Sequence, residues 1–318
     1  MDERSLLVSI VTPSYNQGKF IRQTIESVLN QDYSHIEYWV LDGGSTDNTV
    51  SVLREYENDP RFHWISEKDK GQADAIRKGW DRCHGDILAW LNSDDTYLPG
   101  AISAVVDAFN KAPEAVGVYG ECLYTDTEGN PWRQTIQGPV TRKQVLELSC
   151  SIDQPTVFVR GSDLRRVGGV DQTFHHQLDY ELWLRLGFPH NFVYCNKFLA
   201  TWRAHPDTKS ISNTKRAGDE LNRILQSAHD PKYHLLADEK EIFRIGATRR
   251  ALVYLLADRI DGKRLVETLK FSIAHPSLAI SLWAQILKTM VKGLIAMTGI
   301  SAESRRGLVN NIRRLLSN

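Results

Sequence analysis

The stretch Gly85-Asp-Ile-Leu-Ala-Trp-Leu-Asn-Ser-Asp-Asp-Thr-Tyr-Leu-Pro99 decides how the chain is read. Ile87 to Leu91 form an unbroken apolar run after a glycine, the pattern of a strand covered on both faces. The run stops at Asn92-Ser93-Asp94-Asp95, ahead of a Pro-Gly that opens a helix. Polar loops at the carboxyl ends of strands are where open α/β sheets bind ligands. Two adjacent carboxylates repel, and without a counter-charge one of them protonates. A divalent cation removes that conflict, and hard oxygen donors suit Mg²⁺ or Mn²⁺. An Asx turn capping the following helix is the other reading of the dipeptide.

The same alternation runs outward from this stretch. Leu6 to Val11 is a strand that breaks at Thr12-Pro13-Ser14-Tyr15-Asn16, and Phe20, Ile21, Ile25, Val28 and Leu29 recur at helical spacing. Ile36 to Leu41 is a strand ending in Asp42-Gly43-Gly44-Ser45-Thr46-Asp47, with a helix through Tyr56 after it. Phe62 to Ile65 is a third strand, followed by Ser66 to Gly71 and a helix from Gln72 to Cys83. This β-α-β-α-β-α-β order calls for a parallel sheet with right-handed crossovers and its strand ends gathered on one edge. Beyond Ala112 the pattern loosens into α+β: a strand from Val116, a hairpin around Glu128-Gly129-Asn130, a helix from Leu178 to Leu186, and two strand pieces between Phe192 and Trp202. From Lys215 onward the composition is helical.

The 318 residues, with 42% hydrophobic and 25% charged, suit one large soluble domain plus an appendage. The net charge of +0 hides an asymmetry, because residues from Arg244 onward carry roughly +9 and the rest roughly −9. Cys83, Cys122, Cys150 and Cys195 have no ligand spacing and read as reduced thiols of a cytosolic protein. The N-terminus lacks the pattern of a signal peptide, and no segment reaches the apolar length of a spanning helix. There is no G-x-G-x-x-G after the first strand and no G-x-x-x-x-G-K-[ST], which disfavours dinucleotide binding and P-loop chemistry. His175-His176 has no further ligands at zinc spacing and reads as a solvated turn.

Five motifs, Thr12-Pro-Ser-Tyr-Asn16, Asp42-Gly-Gly-Ser-Thr-Asp47, Gly71-Gln-Ala-Asp-Ala75, Asn92-Ser-Asp-Asp95 and Leu178-Asp-Tyr-Glu-Leu-Trp183, fall in the order seen in inverting family 2 glycosyltransferases. Over roughly residues 6 to 210 the chain resembles that family, and it is similar to bacterial enzymes of O-antigen, capsule or exopolysaccharide assembly. The resemblance implies a GT-A fold: a Rossmann-like α/β half with a mostly parallel sheet, joined to an α+β acceptor half. It divides the chain into a catalytic domain over 1–215 and a C-terminal helical region over 216–318.

The resemblance also implies roles for named residues. Asp42 accepts from the imide N–H of uracil or thymine, Thr12, Pro13 and Ser14 wall the base pocket, and Asp69 and Gln72 contact ribose and base. Asp95 is the metal ligand, and Asp94 belongs to the ribose or the metal's water shell. Asp179 is the general base, with Glu181 as the fallback. His205 completes the metal shell or neutralises phosphate, and Gln154 lines the acceptor side. Arg203, Lys209 and Ser210 form a lid over the diphosphate. The family usually has Asn where this chain has Arg77, which reads as a solvated helix face. The expected cofactor is Mn²⁺ or Mg²⁺. The expected partners are a nucleotide-sugar donor and a glycan or lipid-linked glycan acceptor, with no nucleic acid.

The Q-x-x-R-W pattern of processive synthases is absent, so transfer of one or a few sugars is expected. The C-terminal helices, apolar but interrupted by Lys288 and Lys292 and followed by basic pairs, suit either an anionic membrane surface or a second subunit of a homo-oligomer. The expected location is the cytoplasm, including the inner face of the membrane. The competing readings are a degenerate nucleotide-sugar-binding assembly subunit and a sugar nucleotidylyltransferase, the latter lacking its glycine- and basic-rich N-terminal loop here.

Overall fold

Apolar runs that end in polar loops become strands whose carboxyl ends share one edge. The structure is a computed structural model that describes residues 5–136, 138–149, 152–205, 208, 214–258, 262–276, 278–280 and 282–287. The first half is β1 (Val8–Ser14), α1 (Ile21–Leu29), β2 (Ile36–Asp42), α2 (Thr49–Arg54), β3 (Phe62–Ser66), α3 (Gln72–Trp80) and β4 (Ile87–Trp90). Here β3, β2, β1 and β4 are mutually parallel neighbours, as the alternation requires.

The second half adds β5 (Thr96–Tyr97), α4 (Ala101–Lys111), β6 (Gly117–Thr125), β7 (Pro131–Thr135), α5 (Arg142–Leu146), β8 (Phe158–Arg160), α6 (Gly161–Val167), α7 (Leu178–Arg185) and β9 (Phe192–Arg203). The nine-stranded sheet runs β3-β2-β1-β4-β8-β6-β9-β5, with β7 paired to β6. The parallel character ends at β4. The pairs β4–β8, β6–β8, β5–β9 and β6–β7 are antiparallel, and β6–β9 is parallel.

Three sequence expectations are corrected. The first strand does not break at Thr12 but continues through Pro13 to Ser14. Leu91 N donates to Val11 O and Gly43 N to Ser14 O, so alternation turns the nitrogen of Pro13 toward β4. Pairing with β4 extends only to Val11, so no ladder bond is lost there. The two strand pieces after Phe192 are one strand, β9, whose register against β6 shifts at Tyr119/Glu121 and Glu121/Cys122. The short β5 was not expected from the sequence.

The core lies between the sheet and its helices. On α1, Ile21, Ile25, Val28 and Leu29 face it, and on α4, Ile102, Val105, Val106 and Phe109 do so. Cys83 and Cys122 are buried, and burial pushes the Cys83 thiol up to about 12, as reduced core thiols require. Cys150 lies outside the described residues.

The chain divides into two compact units. One comprises Met1–Val145, Ser149–His205 and Asp230–Leu235, and the other Leu146–Leu148, Pro206–His229 and Leu236–Asn318. The second unit is built on α8 (Thr214–Gln226), α9 (Ala237–Asp258) and α10 (Gly262–Ala274), with an apolar cluster of Leu252, Val253, Phe271, Leu282 and Ile286. Among the described residues no helix is long and apolar enough to cross a membrane. Lys209, Ser210 and the basic tail from Lys288 lie outside the described residues.

Helix α3 is pressed onto β1 and β2 at Gly79. A Cβ there would meet Val11 Cγ1 at 2.5 Å and Leu41 Cδ2 at 2.8 Å. Alanine gains about 1 kcal/mol of helix propensity over glycine, but overpacking a core costs about 1–3 kcal/mol. Gly79→Ala is therefore expected to lower the urea unfolding free energy by up to about 2 kcal/mol; a raised midpoint would show that the contact yields freely.

Candidate functional site

The site begins where β4 stops. Asp95 is 1% exposed. Burial first, and the neighbouring Asp94 second, push its carboxyl well above the ordinary carboxylate range. Opposing them, the Arg203 backbone N–H donates to Asp95 Oδ1 at 2.9 Å, and Asn92 Nδ2 lies 3.3 Å from Oδ2. His205 Nε2 pairs with Asp94 Oδ2 at 2.8 Å, and the His205 ring packs on Phe20 with centroids 4.9 Å apart. The structure thus brings together Asp94, Asp95 and His205, predicted separately from the sequence.

Two residues hold this loop that sequence reasoning missed or misread. Thr24 Oγ1, buried on α1, lies 2.9 Å from Ser93 O and 2.8 Å from Asp95 O. The signal was available, because Thr24 is a polar residue within the apolar stripe Ile21-Ile25-Val28. Arg203 is not a lid. It is buried, its Nε donates to Asp94 O at 2.9 Å, Nη1 to Thr127 O at 2.9 Å and Nη2 to Gln23 Oε1 at 2.6 Å, and its guanidinium lies over Phe20. A cation with that many fixed partners is scaffolding for the aspartate loop.

Asn92 joins the two halves. Gln72 Nε2 donates to Asn92 Oδ1 at 2.7 Å, while Asn92 Nδ2 lies 3.2 Å from Gln154 Oε1. Gln154 Nε2 donates in turn to Trp90 O at 2.7 Å. Gln72 and Gln154, predicted for opposite sides of the cleft, therefore meet on one side chain.

The remaining predicted residues fall at neighbouring strand ends. Asp42, 2% exposed, accepts from Ser45 N and Gly44 N, and from the Ser45 and Ser66 hydroxyls, so its carboxylate is taken up by its own loop and the end of β3. Asp69 accepts from Gly71 N and packs on Gly43, where a Cβ would come within 2.9 Å of Asp69 Oδ2. Thr12 turns inward to Tyr38, with the two hydroxyl oxygens 3.0 Å apart, and Pro13 and Ser14 are buried beside it. The Ser14 Oγ is buried with no hydrogen-bond partner among the described residues.

Asp179 opens α7, where its Oδ1 accepts from Tyr180 N at 2.7 Å. Trp183, one turn further on the same face, stacks on Trp90 of β4 with centroids 5.7 Å apart, which ties this helix to the aspartate strand. Glu181 does not join the group. It is fully buried, and Arg185 grips both of its oxygens. Tyr233 Oη lies 3.3 Å from Glu181 Oε1 and Lys232 Nζ 3.7 Å from it, so the segment Asp230–Leu235 is clamped to α7.

Arg77 stays on a half-solvated helix face, near Asp81 and donating to Gly168 O. An open cavity of about 640 Å³ lined by Arg77, Gly168, Asp171 and Arg185 shares no residue with the aspartate group. The guanidinium of Arg185 is already held there by Glu181, Val167 O and Gly169 O.

Among the described residues no group of three or more His, Cys, Asp or Glu forms a metal cage. Asp94 and His205 nevertheless fit an open site. Adjacent ligands of an octahedral ion with bonds of about 2.1 Å lie about 3 Å apart. The 2.8 Å between His205 Nε2 and Asp94 Oδ2 is close to that edge. Donor sets of this size hold Mg²⁺-like ions when a diphosphate supplies the other oxygens.

Residues 9–165 match the model of Glycosyl transferase family 2. A chondroitin synthase of Escherichia coli is 32% identical over 211 residues, 66% of this chain and 30% of that protein. The chain spans 30% or less of the length of the first curated relatives it matches. Among solved structures, S. aureus TarS 1–349 in complex with UDP-GlcNAc superimposes with a TM-score of 0.66 at 14% identity, over 95% of this chain and 92% of that one. Mannosyltransferase PcManGT from Pyrobaculum calidifontis, in complex with GDP-Man and Mn²⁺, gives 0.54 at 16% identity, over 91% and 87%. The half-parallel, half-mixed sheet with acids at the end of β4 is a GT-A fold. The chain belongs to glycosyltransferase family 2.

The Thr24 hydroxyl is the test of how the loop is held. Thr24→Val keeps the shape and leaves two buried carbonyls without their donor. Chemical denaturation is expected to show a loss of about 1–3 kcal/mol; a loss near zero would mean that the loop is held without it.

Proposed function

We propose that the chain is a metal-dependent, inverting, non-processive glycosyltransferase. It would move a sugar from a nucleotide-diphosphate donor, with uracil or thymine favoured, to a hydroxyl of a glycan or lipid-linked glycan in bacterial surface polysaccharide assembly. The observation that carries this reading is the pairing of His205 with Asp94 beside the buried Asp95, at the carboxyl end of the strand next to β1. The chondroitin synthase relative supports polysaccharide assembly, and the UDP-GlcNAc and GDP-Man complexes support a nucleotide-sugar donor on this fold.

The carboxyl ends of β1, β2 and β3, with Thr12, Pro13, Ser14, Asp42 and Asp69, form the nucleotide side, and Gln72 reaches from there to Asn92. Asp42 acts through the loop it braces and offers the base whatever lone pairs that bracing leaves. Mg²⁺ or Mn²⁺ would be held by Asp94 and His205, with Asp95 completing the acidic pair behind Asp94, and when bound it would stabilise negative charge on the departing diphosphate. The acceptor oxygen forms its new bond to the anomeric carbon on the face opposite the diphosphate. The old carbon–oxygen bond breaks with its electron pair going to the phosphate oxygen. The Asp179 carboxylate takes the hydroxyl proton, and a single displacement of this kind inverts configuration. The clamped Glu181 is left with a structural part and gives way to Asp179 as base.

The catalytic domain on this reading is 1–215, and the helical region 216–318 meets an anionic membrane surface or a second copy of the chain on the cytoplasmic side. Val266, Leu269 and Ile273 support such a contact, being exposed apolar residues spaced along one face of α10.

Asp179→Asn is expected to lower kcat for sugar transfer by about 10²–10⁴, while stabilisation by nucleotide is retained. A variant with near-normal turnover removes Asp179 from the mechanism.

A further inference from the structure

An aromatic cluster lies on the opposite side of the aspartates from the nucleotide loops. Tyr124 of β6 pairs across the sheet with Trp202 of β9 and with Arg133 of β7. Its ring packs against Trp202 with centroids 5.1 Å apart and against Trp132, edge-on, at 5.8 Å. The Arg133 guanidinium lies 5.2 Å from the Tyr124 ring centre. Trp132, at 48% exposure, offers its indole to solvent although it packs on a half-buried tyrosine. An aromatic ring already held on a packed support can offer its face to a ligand with little further ordering cost.

The cluster is continuous with the site. Tyr124 Oη donates to Asp153 Oδ1 at 2.6 Å, and the next residue, Gln154, contacts Asn92 and Trp90 O. Trp202 precedes Arg203, whose backbone N–H holds Asp95. Sheet order puts β1, β2 and β3 on one side of β4 and the aromatic strands β6, β7 and β9 on the other. A base bound at the ends of β1–β3 does not reach this cluster.

We propose that Trp132, braced by Tyr124, which in turn packs on Trp202, is a stacking platform for a pyranose ring of the acceptor glycan. The C–H face of a sugar ring matches an indole face. The Arg133 guanidinium on the same tyrosine supplies donors for ring hydroxyls. This rests on the glycosyltransferase reading above, with its glycan acceptor, and adds to it the residue that seats the acceptor ring.

The test is calorimetric titration with chondroitin tetrasaccharide and with cellotetraose, in the presence of UDP and Mn²⁺. It is run on the wild type, Trp132→Ala and Trp132→Phe, with the UDP–Mn²⁺ unfolding shift measured in parallel. At least one tetrasaccharide is expected to bind the wild type. Trp132→Ala should weaken that binding by about tenfold, Trp132→Phe by less, and neither should alter the UDP–Mn²⁺ shift. The proposal is overturned if Trp132→Ala binds glycan as the wild type does, if it loses the nucleotide shift as well, or if the wild type binds neither tetrasaccharide at millimolar concentration. Glycan binding that depends on Trp132 in a wild type insensitive to UDP would support the platform and refute the nucleotide-sugar reading instead.

Discussion

The site depends on keeping two neighbouring carboxylates at the end of a buried strand. Asp95 is out of water and beside another acid, so both burial and repulsion act against its charged form. The fold answers with fixed dipoles and one fixed cation. The Arg203 amide faces Asp95, the Arg203 guanidinium bonds the Asp94 carbonyl, Thr24 holds the loop carbonyls and His205 faces the Asp94 carboxylate. These partners come from α1 and from the end of β9 with the residues just after it, far apart in sequence, and that distance explains why the mixed half must close on the parallel half. The position of β9 is set by pairing with both β5 and β6. The two-residue β5, directly after Asp95, fastens the aspartate loop to the strand that carries Arg203.

The parallel half was legible because buried strands must be apolar throughout and their loops polar, so each boundary is written in composition. Asp42, Asp69 and the Asp94–Asp95 pair could be placed at strand ends on that ground alone. The structure places them there. What lay out of reach was pairing between distant segments. Thr96–Tyr97 has no pattern of its own and is a strand only because Thr201 and Ala200 lie opposite. The strand β9 looked like two pieces because its register slips against β6, which breaks the alternation that marks one strand.

Side-chain roles were legible in kind more often than in partner. Arg203 and His205 are near neighbours in one segment, and the sequence could not tell that one would be buried as scaffold while the other faced Asp94. Glu181 and Asp179 are both acids in the first turn of α7. Glu181 has Arg185 one turn away, a spacing visible in the sequence, and the buried ion pair follows from it. Asn92 stood in a quoted motif without a role. Its amide has a donor and an acceptor end, which lets it join Gln72 to Gln154 across the site.

The measurement that bears most directly on this account is the unfolding midpoint with UDP, with Mn²⁺, and with both, in the wild type and in Asp95→Asn. A ligand that binds only the native state stabilises it by about 2.7 kcal/mol at roughly a hundredfold excess over Kd. UDP and Mn²⁺ together are expected to raise the wild-type midpoint well beyond either alone, and Asp95→Asn is expected to fold but to lose this joint shift. An equal joint shift in Asp95→Asn, or none in the wild type, would contradict the assignment of the β4 aspartates to a metal–diphosphate site.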